Sequence, residues 1–264
     1  MTVTLEVKSH DSDVKAARHA ATRCVLEEFG SGLPDLKLLA FLDDEDWSDL
    51  RQQYGPANRG CYAPINGNRP TDEWPPRMTS LIFVPVDDFS PWPTRRVFDH
   101  AIYLHGSTCA DETALTMTFA HELQHFVQYG FSRRFWAEGR LIPRLPREVF
   151  DIEGLNWPDI PHEREARIVA KRVAVRLCGA DAVRQYIDRR ISENVTANDA
   201  DDWRFNQQLD PSVPYDLSRE TKRIFQRLRS YRQALENVLR EVSCDSAYGS
   251  DYKDINLSAY FDAA

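Results

Sequence analysis

The residues best suited to catalysis lie in the stretch FAHELQHFVQYG, residues 119–130. His121, Glu122 and His125 form the pattern H-E-x-x-H there. Two histidines four residues apart lie on one side of a helix, so both imidazoles can bind one metal ion. A zinc ion in such a site activates a water molecule, and the glutamate beside the first histidine acts as its general base. The pattern therefore predicts metal-assisted hydrolysis.

A catalytic zinc ion takes three protein ligands and leaves a fourth position for water, so a third ligand is expected elsewhere. Gln128 and Phe131 stand where the extended H-E-x-x-H-x-x-G-x-x-H pattern requires Gly and His. A carboxylate must therefore supply the third ligand. The candidates are Glu163, Glu165 and Glu138. The first two share one predicted helix, where they are about 200° apart, so at most one faces the metal.

The pair of motifs His121-Glu122-x-x-His125 and Glu163-x-x-Ala166 resembles the gluzincin family of zinc metallopeptidases. The resemblance implies a minimal zincin-like α+β fold and a Zn²⁺ cofactor held by His121, His125 and Glu163. It also implies that Glu122 is the catalytic base in the hydrolysis of peptide bonds. The small residue at Ala166 is expected to let the two helices approach.

One position departs from that family. Many gluzincins carry an Asp directly after the small residue, where it supports a metal-bound histidine, and this chain has Arg167. Groups that orient metal ligands tune the site, so another carboxylate must do this work or the site is weaker. Asp99 and Asp111 are the candidate replacements.

Two other functions are compatible with these residues. One is a regulatory or binding protein on a zincin-like scaffold, with a structural metal or none. Arg167 favours this alternative, but Glu122 favours the enzyme, since a structural metal site has no use for a general base. The other is a hydrolase acting on a carbonyl group that is not a peptide.

The first 130 residues predict an upper lobe in which a mixed sheet packs with helices. Alternating or β-branched stretches predict strands, and apolar residues at helical spacing predict helices. The strands are 2–7, 36–42, 61–65, 80–88 and 100–106; the helices are 11–30, 44–55 and the motif helix 111–129, with Gly130 just beyond its end.

Residues 131–264 predict a mainly helical lower lobe that supplies the third ligand, so that the whole chain, 1–264, forms one catalytic domain. A proline-containing connection leads to a helix that begins at Pro161 and stops at Gly179. A second helix covers 180–194, a loop 195–214, and a long amphipathic helix 216–242. The apolar stripe of the last helix predicts core packing.

Composition limits the partners. The net charge of -8 argues against binding to nucleic acid or anionic membranes, which call for clustered Lys and Arg. The expected partner is a peptide or protein substrate, and the sequence does not determine the oligomeric state. The five cysteines contain no C-x-x-C pair and are expected to be reduced thiols. With no signal peptide pattern at the start, a cytoplasmic location is expected.

Overall fold

A computed structural model gives the structure of part of the chain. It describes the backbone of residues 5–7, 12–29, 39–41, 60–64, 100–104, 111–193, 197–244 and 249–261. Side chains are described for residues 20–29, 111–193, 200–244 and 251–261. The predicted helix 44–55 and the predicted strand 80–88 lie outside the described residues.

Helices make up most of the described structure. In chain order they are α1 (Ser12–Phe29), α2 (Glu112–Phe131), α3 (Arg133–Gly139), α4 (Arg147–Glu153), α5 (Pro161–Cys178), α6 (Ala180–Glu193), α7 (Ala197–Gln208), α8 (Leu217–Arg227), α9 (Arg232–Ser243), α10 (Gly249–Tyr252) and α11 (Ser258–Phe261). Single turns of 3₁₀ helix lie at Ile142–Arg144, Trp157–Asp159 and Leu228–Tyr231.

Strands occur in the described backbone only as short segments. They are β1 (Leu5–Val7), β2 (Leu39–Phe41), β3 (Gly60–Pro64) and β4 (His100–Leu104), in the order β1-β2-β4-β3. The β1–β2 and β2–β4 pairs are parallel, and the β3–β4 pair is antiparallel.

The predicted fold class, an α+β fold organised around a mixed sheet, is wrong for the described structure. Among the residues whose side chains are described, 83% are helical and none lies in a strand. The physical reason is that most of the buried apolar side chains in the described residues lie on helices. One cluster joins Val25 of α1, Phe119 of α2, Trp136 of α3, Phe225 of α8 and Tyr260 of α11. The hydrophobic core described here is therefore formed by helices packed on helices.

The motif helix α2 forms because its start is capped and one side is apolar. Asp111 is the N-cap, and its side chain accepts a hydrogen bond from the Ala114 amide at 2.8 Å. Phe119 and Leu123, on its apolar side, are fully buried. The helix continues through Gly130 to Phe131, so the predicted end at residue 129 is two residues early. Gly130 does not have the positive φ of a left-handed cap, so it is an interior residue of the helix.

The helix α5 begins and ends where the sequence predicts. Pro161 occupies its first turn, where a missing N–H costs nothing, and Gly179 follows its last residue with φ 89°. α5 packs along α2. Ala166 has no exposed surface, and its small side chain allows the two helices to come close.

The predicted loop 195–214 is wrong for residues 197–208, which form α7. The sequence of α7 is polar and has no apolar stripe, so periodicity does not reveal it. Its end is held from outside by Lys171 of α5. The Lys171 ammonium donates to the carbonyl oxygens of Asn206, Gln207 and Leu209 at 2.8, 3.0 and 2.7 Å. A cation at this end satisfies carbonyls that have no partner within the helix.

The predicted long helix 216–242 is divided into α8 and α9 by the 3₁₀ turn at Leu228–Tyr231. A 3₁₀ turn has 3.0 residues per turn, so it changes the phase of the apolar stripe. Phe225, Leu228, Leu235 and Val242 are all buried across this break. The prediction that the stripe packs in the core is confirmed.

The predicted division into lobes at residue 130 stays a prediction, although the core cluster contains residues from both sides of that boundary. Across the described residues, no helix has the length and hydropathy that a membrane crossing requires.

Candidate metal centre

Two helices bring together the three residues predicted as metal ligands. His121 and His125 lie one turn apart on α2, and Glu163 lies in the first turn of α5. Their ligand atoms all lie within 4.8 Å of one another. We call these three residues the ligand cluster.

The nearest distances between pairs of residues in the ligand cluster are close to those between two ligands of a tetrahedral metal ion. His121 Nε2 and His125 Nε2 are 3.1 Å apart. Glu163 Oε2 is 3.4 Å from His121 Nε2, and Glu163 Oε1 is 3.5 Å from His125 Nε2. Ligands at about 2.0–2.1 Å from a tetrahedral Zn²⁺ lie about 3.4 Å from one another. Two imidazoles and one carboxylate are also the donor set of a catalytic zinc site with an open fourth position.

Electrostatics within the cluster favour a positive charge between its members. Burial alone would lower the pKa of His125, but the adjacent Glu163 carboxylate and its hydrogen bond raise that pKa to about 9. Burial would raise the pKa of Glu163, but the charge on His125 and hydrogen bonds from both histidines hold it well below its usual range. In the metal-free protein, the proton on His125 therefore supplies the positive charge that a metal ion would supply.

His121 lies at the open edge of the site. Its side chain is 19% exposed, against 9% for the side chains of His125 and Glu163. Burial, together with the nearby positive charges of His125 and Arg167, lowers the pKa of His121 to about 4 even though Glu163 acts in the opposite direction. His121 is therefore neutral at physiological pH, as a metal ligand must be.

Glu122 is buried beside the ligand cluster. It is 6% exposed. Its negative charge raises the pKa of His125, as Glu163 does more strongly, against the lowering effect of burial. A carboxylate in this position can accept a proton from a water molecule at the open edge of the cluster.

The structure does not place the two other candidate glutamates in the ligand cluster. Glu165 Oε2 instead accepts hydrogen bonds from the side-chain amides of Gln124 at 3.1 Å and Gln128 at 2.7 Å. Glu138 is fully buried, where it accepts from Tyr260 Oη at 2.6 Å and Arg134 Nε at 2.8 Å. Glu138 thus ties α3 to α11 and has a structural role.

Asp111 and Asp99 are the two carboxylates that could support a metal-bound histidine in place of the missing Asp. Asp111 caps α2 and pairs with Arg189 at 2.5 Å, so both its carboxylate oxygens are used away from the ligand cluster. Asp99 lies outside the described residues. Arg167, the residue directly after Ala166, donates to Asp202 at 3.2 Å.

Two polar residues beside the cluster were not predicted from the sequence. Gln128 is 1% exposed and its Oε1 lies 2.8 Å from His125 Nδ1. The sequence feature that could have indicated this contact is the spacing: Gln128 follows His125 by three residues, so the two side chains are neighbours on α2. His162 is also buried, with its ring 5.6 Å from the ring of His125.

The ring of His162 fits against the backbone of Gly139. A Cβ at residue 139 would overlap His162 Nδ1 and would lie 2.9 Å from Cε1, so a glycine is required for this close approach. Burial lowers the pKa of His162 to about 3, so its ring is neutral. Its Nδ1 has no hydrogen-bond partner in the described part of the chain.

Comparisons of this chain with family models, with curated proteins and with solved structures find no match.

Proposed function

We propose that this chain is a zinc-dependent metallopeptidase of gluzincin type, which hydrolyses peptide bonds with a metal-activated water. The observation that carries the proposal is that the ligand atoms of His121, His125 and Glu163 all lie within 4.8 Å of one another, with the Glu122 carboxylate buried close to His125. A zinc ion held by the three ligands would lower the pKa of a bound water to about 7.

The residues of the site have separate roles in this reaction. His121 and His125 would hold the zinc ion through Nε2, and Glu163 would hold it through its carboxylate. Glu122 accepts the proton of the attacking water and transfers it to the leaving amine. The exposed edge at His121 is where a substrate reaches the site.

A cytoplasmic location is part of the proposal. Its support is that the cysteines with described side chains, Cys24, Cys178 and Cys244, are free thiols, and two of them are exposed. Exposed free thiols persist in a reducing compartment.

The alternative is a binding or regulatory protein, and one observation favours it. The positive charge of Arg167 acts on His121 and lowers its pKa, and the same charge disfavours a metal cation at that imidazole. An Asp at residue 167 would have the opposite effect.

Peptide hydrolysis by Glu122→Gln tests the proposal. The zinc-loaded wild type and the variant are assayed against a library of quenched fluorescent peptides, with Glu112→Gln as the matched control, since Glu112 is exposed on the same helix. General acid–base catalysis contributes about 10²–10⁴-fold, so Glu122→Gln should lose at least that factor while it still binds zinc. Glu112→Gln should cleave as the wild type does. A wild type that binds zinc but cleaves no peptide would contradict the peptidase and favour the alternative.

A further inference from the structure

Gln128 has an unusual set of hydrogen bonds for a side chain in a helical core. Its Nε2 donates to the backbone oxygen of His162 at 2.9 Å and to Glu165 Oε2 at 2.7 Å. Its Oε1 lies 2.8 Å from His125 Nδ1. The amide is almost fully buried, and each of its polar atoms has a partner.

These partners fix which end of the amide faces His125. A carbonyl oxygen and a carboxylate oxygen are both acceptors, so the side of Gln128 that faces them must be the NH₂ group. The reversed amide would place its oxygen against two other oxygens and would lose both hydrogen bonds. Gln128 therefore presents its oxygen to His125.

An oxygen at this distance can only accept, so His125 Nδ1 must carry a proton. This holds for the neutral ring and for the imidazolium. When the ring is neutral, the lone pair is on Nε2, the atom that faces His121 and Glu163. The tautomer that can bind a metal is thus selected by the amide of Gln128.

Glu165 is the charged group behind this arrangement. It accepts from Gln128 and also from Gln124, both on α2, while its own backbone lies on α5 two residues after Glu163. We infer that Gln128 and Glu165 are positioning residues that hold His125 in its metal-binding tautomer. The inference rests on the proposed zinc site for its functional meaning.

The Nδ1 proton of His125 can be observed without metal. In metal-free protein labelled with ¹⁵N-histidine and held above pH 9, where the His125 ring is neutral, the wild type should carry its one ring proton on Nδ1 and show an Nδ1–H resonance. Gln128→Leu should lose it because the acceptor is gone. Glu165→Ala should weaken it because the amide can then turn. Glu165 is half-buried, so this second variant decides the matter if Gln128→Leu does not fold.

Zinc affinity gives a second readout, measured by competition with a chromogenic chelator. Loss of a group that orients a metal ligand typically weakens binding about 10–100-fold. We expect that range for Gln128→Leu and a smaller loss, about tenfold, for Glu165→Ala. Gln124→Leu is the matched control. It removes the other donor to the same Glu165 oxygen, and Gln124 has no hydrogen bond to a histidine whose side chain is described. It should keep both the resonance and the affinity.

The outcomes separate this inference from the proposed function. If wild type binds zinc and the two variants bind it equally well and keep the Nδ1–H resonance, the inference is wrong and the zinc site stands. If Gln124→Leu has the same effects as the other variants, the network is structural only, and the inference is also wrong. If wild type binds no zinc, the proposed function fails, while the resonance still decides whether Gln128 and Glu165 select the tautomer.

Discussion

Zinc binding to the ligand cluster should become tighter as the pH rises toward 9. Glu163, acting against the effect of burial, raises the pKa of His125 to about 9, whereas burial lowers the pKa of His121 to about 4. The pKa of Glu163 is held well below its usual range. At neutral pH, His125 is therefore the one ligand that must lose a proton before it can bind the metal.

The size of the effect follows from that proton. A raised pKa means that the proton stays bound below pH 9, so each pH unit below 9 weakens apparent zinc binding about tenfold. Apparent affinity at pH 7 should then be about 100-fold weaker than the limit reached above pH 9.

The assay is a zinc titration against a chelator at pH 7, 8 and 9, corrected for protonation of the chelator. It is paired with an NMR titration of the His125 ring in metal-free protein. Glu163→Gln is the control: without the carboxylate, burial dominates, and His125 should lose its proton at or below its ordinary pKa of 6.5. Affinity that does not change between pH 7 and 9, or a wild-type His125 that titrates at 6.5 or lower, would refute this reasoning.

Three further predictions concern groups around the site. Tyr260→Phe removes the hydroxyl that donates to buried Glu138, so stability to denaturant should fall by about 1–3 kcal/mol, with zinc affinity unchanged. Gly139→Ala places a Cβ against His162, so stability should fall by about 1–3 kcal/mol through overpacking, and zinc binding should weaken because His162 precedes a ligand. Lys171→Met removes three hydrogen bonds to carbonyls at the end of α7, so amide hydrogens of α7 should exchange faster with solvent.

Each of these has an outcome that contradicts it. Weaker zinc binding in Tyr260→Phe would indicate that Glu138 takes part in the metal site. Wild-type stability in Gly139→Ala would mean that His162 does not pack against residue 139 as described. For α7, Lys222→Met is the control, since Lys222 is exposed; equal exchange in both lysine variants would show that Lys171 does not hold the helix end.

Several helices could be predicted because the information is local. The apolar side of α2, the proline at the start of α5 and the glycine after its end are all visible in the sequence, and the structure places them as predicted. α7 could not be predicted, because its sequence has no apolar stripe and the side chain that binds its last carbonyls, Lys171, is distant in sequence. The mixed-sheet fold class was wrong because most core side chains in the described residues come from helices.

In the site as well, the two histidines on one helix could be predicted to meet from their spacing, whereas the contacts that form only when helices pack could not. The spacing of His121 and His125 is a local property of one helix, so the sequence alone brings them together. Glu163 was chosen from three glutamates by a resemblance to a family, and the structure places it beside the histidines. Gln128 was missed because its role depends on Glu165, which reaches it only when α5 packs on α2.

The central claim is that His121, His125 and Glu163 bind zinc, and metal content tests it most directly. Wild type, His121→Ala and Glu163→Gln are each purified without added zinc or chelator, then analysed for metals before and after zinc is offered. The proposal predicts close to one zinc ion per wild-type chain and little in either variant. Wild type that stays metal-free after zinc is offered would contradict the claim, and zinc retained by Glu163→Gln would show that Glu163 is not the third ligand.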